Sequence, residues 1–358
     1  MAANRLKGSM TRFKLPKINV RTGTVGFGLA TALIFGVALF LGIADIGFRR
    51  IWDEVLGVGF GLAGIILVHI GQILFCAIAW RTLVPRIGLG PRPNLRRLFV
   101  LRWLRESIDS MLPVAQVGGE VAAARLLTRY GLHLPEAGAS IIADVTIETL
   151  TQAIFTLIGL ALIFTLAEPG DIAHWAALGF AIAAVFAALA VFAQRWGGVR
   201  LFEKLLLAIA DRMGWDRLEG VAGLDKALIR VYELHGRLFR AGLYHLSAWS
   251  LGALEVMIAA HALGYRLDLG QSYVIESLGQ AVRSAAFFVP GAVGVQEGGF
   301  VVLAALFGVP VDAALSISLT KRVRELALGL PGLVVWQIHE YRHRRAASVA
   351  AKVDKPAA

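Results

Sequence analysis

Long apolar runs separated by short clusters of charge organise the chain. An uncharged run from about Thr24 to Ala44 is long enough, at ~1.5 Å per residue, to cross a ~30 Å hydrocarbon core. It exceeds a signal-peptide h-region, and no small-x-small cleavage pattern precedes Asp45, so it reads as a retained span. Further spans are predicted at about 55–79, 149–167 (its helix starting nearer Ala137), 175–193, 243–263 and 311–338, the last interrupted by charge. Trp52 and Trp80 flank the second span, where indoles favour the membrane interface. Segments 98–129 and 272–308 are apolar enough for a bilayer but are broken by Pro, Gly and charge. Such backbone survives at membrane depth only when buried in protein or lining a wet cavity. The expected fold is therefore an all-α integral membrane protein. It has about six full spans plus two re-entrant helical hairpins, with eight full spans as the alternative.

Charge sets the orientation. Residues 1–22 hold six basic side chains and no acid, segment 195–240 holds nine basic residues, and the tail 339–358 is basic too. The loop after the second span carries Arg81, Arg86, Arg92, Arg96 and Arg97 without an acid. All four belong on the cytoplasmic side of a bacterial inner membrane by the positive-inside rule. This divides the chain into a basic N-terminus (1–22), a first transmembrane repeat (23–194), a basic segment (195–240), a second repeat (241–338) and the tail. Segment 195–240 interleaves its basic residues with Leu and Ile, as an amphipathic helix on an anionic leaflet does. The composition agrees: 57% of the 358 residues are hydrophobic and 17% charged, against about 45–50% and about 25% in soluble domains. Cys76 is the only cysteine, which excludes a disulfide scaffold. The net charge of +11 sits in loops rather than in a soluble basic domain, so no nucleic-acid partner is expected.

The two broken segments repeat each other. Pro113, Glu120, Gly131 and Glu148 recur at one constant separation as Pro290, Glu297, Gly308 and Glu325. Three predicted spans lie between the hairpins, and an odd number reverses their direction, as in the inverted repeats of secondary transporters. At corresponding positions Glu106 meets Arg283 and Asp144 meets Lys321. Charges related by a pseudo-twofold and close to its axis are expected to pair across it, the alternative being independent interfacial charges.

The stretches "LPVAQVGGEVAAARLL" and "VPGAVGVQEGGFVVLAALFGVPVDAALSISLTKRVRELALGLPG" resemble the flippase-like transmembrane family typified by the membrane half of lysylphosphatidylglycerol synthases. The second stretch looks closest to the branch associated with hopanoid biosynthesis in bacteria. The resemblance implies a membrane domain that moves an anionic or modified lipid between leaflets. By motif match it points to Pro113, Gly118, Gly119, Glu120 and Arg125, and to Pro290, Gly291, Gly294, Glu297 and Gly298. Val114 departs from the Gly usual after Pro in the first stretch, so that turn is expected to be less sharp. Twenty residues follow Ile338, so the aminoacyl-transfer domain of the bifunctional synthases, and lipid aminoacylation with it, is not expected on this chain.

Several side chains carry candidate chemistry. Glu120 and Glu297 stand where each hairpin turns, either to cap a helix or to handle substrate or protons. Arg105, Arg125 and Arg283 lie on the hairpin arms and suit phosphate, snorkelling to the interface being the alternative. Asp144, Glu148 and Gln152 form one polar stripe, and Lys321, Arg324 and Glu325 another, with Arg322 pointing elsewhere. Both stripes are expected to face one cavity. His339–His343 matches H-E-x-x-H, but no third ligand follows and arginines crowd it, so it reads as a juxtamembrane helix rather than a zinc site. Gly57, Gly61 and Gly64 suit close helix packing. No Walker motif occurs, and neither cofactor nor metal is expected. The function expected is lipid translocation. The expected partners are anionic or hopanoid-type membrane lipids, with a second copy of the chain and lipid-biosynthesis enzymes as further ones. The alternatives are a lipid-modifying enzyme or scaffold subunit, and a small-solute transporter.

Overall fold

A computed structural model describes residues 53, 56–85, 93–112, 118–166, 223–285, 292 and 294–353. Nine helices and no strand occur among them. These are α1 (Phe60–Leu83), α2 (Leu95–Met111), α3 (Gly118–Thr128), α4 (Leu134–Leu166), α5 (Leu224–Tyr232), α6 (His235–Ala262), α7 (Leu269–Ala285), α8 (Val295–Ala305) and α9 (Val311–Val353). Helices α1, α4 and α6 are long and apolar enough to cross a membrane, and they cover the spans expected at 55–79, 149–167 and 243–263. The expected spans at 24–44 and 175–193 lie outside the described residues. The span expected at 311–338 continues as one helix to Val353, with Pro331 inside it.

The described parts of segments 98–129 and 272–308 each hold two helices in succession: α2 then α3, and α7 then α8. Both short helices have 11 residues. Gly118 and Val295 begin them, and Leu134 and Val311 begin the long helices that follow, all at the separation of Pro113 from Pro290. Gly131 (φ 90) and Gly308 (φ 73) turn the chain from the short helix to the long one in the left-handed region that favours glycine. The exposed N–H groups that start each short helix meet a carboxylate. Asp109 Oδ1 accepts from the Gly119 N–H at 2.8 Å, and Glu297 Oε2 from the Gly294 N–H at 2.7 Å. Of the two acids read as either helix caps or substrate- and proton-handling groups, Glu297 caps its helix, whereas at α3 the capping carboxylate is that of Asp109 and not of Glu120.

The halves interlock: α2 packs on α9, and α7 on α4. A Cβ on Gly159 of α4 would lie 1.8 Å from Ser277 Oγ on α7, and one on Gly332 of α9 would lie 2.0 Å from Ser107 Oγ on α2. Trp103 Nε1 on α2 also donates to the Leu328 carbonyl of α9 at 2.9 Å. Helices α1 and α6 form another close pair, with Gly61 against Ala262 and Gly64 against Ile258, whereas Gly57 faces open space. Trp80 is fully buried and donates to Ser140 Oγ at 3.3 Å. Its indole serves the helix packing and not the membrane edge expected from the sequence. In the described part of segment 195–240, α5 buries Leu224, Ala227, Leu228 and Val231 on one face against protein, with Ala139 and Ala143 of α4 in the same core. That apolar face is therefore not free to enter a leaflet.

Candidate functional site

A cavity of about 330 Å³ lies between α1, α2, α3, α4, α6, α7 and α9, and its wall is mostly charged and polar. Burying so many ionised groups is tolerable only if they pair, because a lone charge at the bilayer centre costs at least ~2.5–3.5 kcal/mol. On one side Arg105 makes that pairing. Its Nε donates to Glu120 at 3.0 Å, one Nη to Asp144 at 2.8 Å and the other to Glu148 at 3.2 Å. Arg102 holds both Glu148 oxygens, at 2.8 and 2.5 Å. Behind them, His245 Nε2 lies 2.9 Å from Asp144 Oδ1.

The opposite side is built from α6, α7, α8 and α9. Arg283 donates through Nη1 to Gln296 at 3.0 Å and to Glu325 at 2.5 Å. Arg322 donates to Glu297 at 3.0 Å and to Glu325 at 3.1 Å. Lys321 is bonded to Glu276, and Arg324 to Glu255. His69 on α1 joins the two sides. Its Nε2 is 2.5 Å from Glu106 Oε1, and its Nδ1 is 3.0 Å from Glu255 Oε1 and 2.8 Å from Arg324 Nη1. Two of those contacts require opposite roles of Nδ1, acceptor from Arg324 or donor to Glu255, so the imidazole's tautomer and charge choose between them.

The expected pairs across the repeat do not form. Glu106 is bound by His69 and Arg283 by Glu325, while Asp144 is held by Arg105 and His245 and Lys321 by Glu276. Each charge meets an opposite one on an adjoining helix before it can reach its counterpart in the other half.

Eight residues singled out from the sequence line the cavity: Arg105, Glu106, Glu120, Glu148, Gln152, Arg283, Arg324 and Glu325. Asp144 and Lys321 stand behind the wall, 0% and 2% exposed. Arg125 is elsewhere. It and Arg129 reach Glu340 near the end of α9, each at 2.9 Å. Glu297 is also outside the wall, tied to Arg322 and the α8 N-terminus. Gly118 opens α3, and Gly119 sits so close to α2 that a Cβ would fall 2.3 Å from the Arg105 carbonyl. Gly294 adopts φ 81 before α8, whereas Gly298 faces open space. Pro113, Pro290 and Gly291 lie outside the described residues. The H-E-x-x-H sequence lies within α9. There Glu340 is engaged by the two arginines, and His339 Nδ1 meets the Val335 carbonyl of its own helix at 2.9 Å.

Sequence reasoning missed His69, Arg102, Asp109, His245, Glu255 and Glu276. His69, His245 and Glu255 each interrupt an otherwise apolar span, and an ionisable side chain there is itself a signal. Arg102 and Asp109 share the cavity face of α2 with Arg105, at helical spacing.

No curated protein and no solved structure matches the chain. A family model described as "Lysylphosphatidylglycerol synthase TM region" matches residues 25–332. That match takes in every helix from α1 to α8 and the part of α9 that borders the cavity. The chain is thus a membrane protein belonging to the lysylphosphatidylglycerol synthase transmembrane-region family.

Proposed function

We propose that this protein moves a polar-headed lipid, hopanoid-type lipids among the candidates, between the leaflets of the bacterial inner membrane. One observation carries the reading: a charged cavity of about 330 Å³ sits among helices apolar enough to span a bilayer. That is the size of a small-ligand pocket, ~300–1,000 Å³, so it suits a headgroup whose tails stay in lipid. Arg283 is the headgroup contact. Among the described residues it bonds through Nη1 alone, and its side chain is 20% exposed. The rest of its planar fork is available for bidentate contact with a phosphate or carboxylate. Arg105 does not share that task, because Glu120, Asp144 and Glu148 already use all three of its nitrogens.

The helix pattern α2–α3–α4 and its recurrence as α7–α8–α9 support a repeat with re-entrant hairpins, the odd number of expected spans between them supports its inversion, and the basic residues at both ends support cytoplasmic termini. In that arrangement the interlocked halves rock about the cavity to change its access. Purified protein in liposomes containing fluorescent lipids in both leaflets tests this by dithionite bleaching. Native protein and Lys226→Ala, a change on the exposed face of α5, should bleach beyond the outer-leaflet half, and Arg283→Ala should not. Bleaching that stops at half for native protein across phosphate-bearing and hopanoid lipids refutes translocation and favours the lipid-modifying alternative.

A further inference from the structure

Cys76 on α1, Glu148 on α4 and His245 on α6 converge beside the cavity, with one ligand atom from each within 4.8 Å of the others. Three features make this more than a chance cluster. First, His245 is 0% exposed, and its buried Nδ1 has no nitrogen or oxygen partner among the described residues while the imidazole interacts with the Cys76 side chain. Second, Asp144 Oδ1 lies 2.9 Å from Nε2, the carboxylate–imidazole pairing that orients a ligating histidine and leaves the other nitrogen for the ion. Third, Cys76 and Glu148 both border the cavity, so the site is reached from it.

We infer that Cys76, His245 and Glu148 bind a divalent ion of the zinc class. A thiolate, an imidazole and a carboxylate are the donor types zinc takes, at ~2.0–2.3 Å, and three protein ligands leave a fourth position for water or an anionic oxygen from the cavity. Small side-chain adjustments bring donors within 4.8 Å of one another to the spacing those bond lengths demand. Glu148 keeps Arg102 and Arg105 as hydrogen-bond donors to the ligating carboxylate. The two guanidiniums do not exclude a dication. They are bonded to three carboxylates, Glu120, Asp144 and Glu148, which leaves one negative charge in excess. Ionised Cys76 adds a second, and a dication with neutral His245 balances both. The site stands whether or not the cavity carries lipid.

The test uses the full chain, purified without a polyhistidine tag, stripped with chelator, incubated with zinc and desalted. Metal analysis should find about one zinc per chain. Cys76→Ser and His245→Asn should fall to background, and His339→Ala/His343→Ala should keep the native content. Cobalt in place of zinc should give a thiolate-to-cobalt charge-transfer band, which only Cys76 can supply in this chain. That band reports the site in native protein even where a variant folds poorly. Native protein without zinc or without the band, zinc retained by Cys76→Ser, or zinc lost only from the His339/His343 variant each overturns the assignment.

Discussion

Replacing Arg105 with Met removes a guanidinium shared by three carboxylates while keeping most of the side chain's volume. The consequences differ among the three. Asp144 retains His245 at 2.9 Å and Arg102 at 3.6 Å, and Glu148 retains both bonds from Arg102. Glu120 retains no cation among the described residues: Arg105 at 3.0 Å is its one ion-pair partner there. Stranding one buried charge in this way costs about 3–5 kcal/mol. At ~1.4 kcal/mol per factor of ten, that shifts the unfolding equilibrium by about two to nearly four powers of ten. Glu120→Gln keeps an oxygen that accepts from Arg105 Nε and should cost only about 1–2 kcal/mol. The double variant removes the stranded charge together with its cation, so it should recover most of the Arg105→Met loss. Denaturant-driven unfolding in mixed micelles, run on all four members of the cycle, measures this coupling. Equal and additive losses would falsify the claim that Glu120 depends on Arg105.

The interlocked halves lead to a second expectation. Gly159→Ala should destabilise the protein by about 1–3 kcal/mol through its clash with Ser277, and Ser277→Gly should restore it, as thermal unfolding would report. At the start of α3, Asp109→Ala should cost about 1–2 kcal/mol and speed hydrogen exchange at Gly119, whereas Asp109→Asn keeps an accepting oxygen and should do neither. Exchanging Asp144 and Lys321 by charge reversal should rescue neither single reversal, because their partners are Arg105, His245 and Glu276. Folded yield on size exclusion above that of both single variants would show that the two groups pair after all.

The apolar runs and the Pro-Gly breaks marked α1, α4, α6 and both broken segments, because helix length in a bilayer is set by hydrophobic thickness. The recurrence of Glu120 as Glu297 was visible as well, but not that the two sit differently. The reason is a trade of residues between the halves. Position 105 holds Arg and its counterpart 282 holds Val, while 322 holds Arg and its counterpart 145 holds Val. Glu120 therefore takes its cation from the helix before it, and Glu297 from the helix after it. Helical spacing tells which side chains share a face, not which neighbouring helix that face meets. For the same reason the convergence of Cys76, Glu148 and His245 from three helices left no trace in local spacing, and Arg125, on the same short helix as Glu120, turned out to serve the end of α9.

Pro331 cannot donate to the carbonyl one turn before it, so α9 lacks a rung of its ladder within a long helix. The Trp103 indole donates to the Leu328 carbonyl, one residue past the unpaired rung, and Gly332 lets α2 press against the helix there. Side chains of α2 thus brace α9 where its ladder is incomplete. Beyond that point, the C-terminal arm of α9 reaches Arg125 and Arg129 through Glu340, so a tilt about Pro331 pulls on α3 and hence on the cavity wall that carries Glu120. A tilt of α9 would therefore have its fulcrum on α2 and its load on α3, both in the same half of the chain.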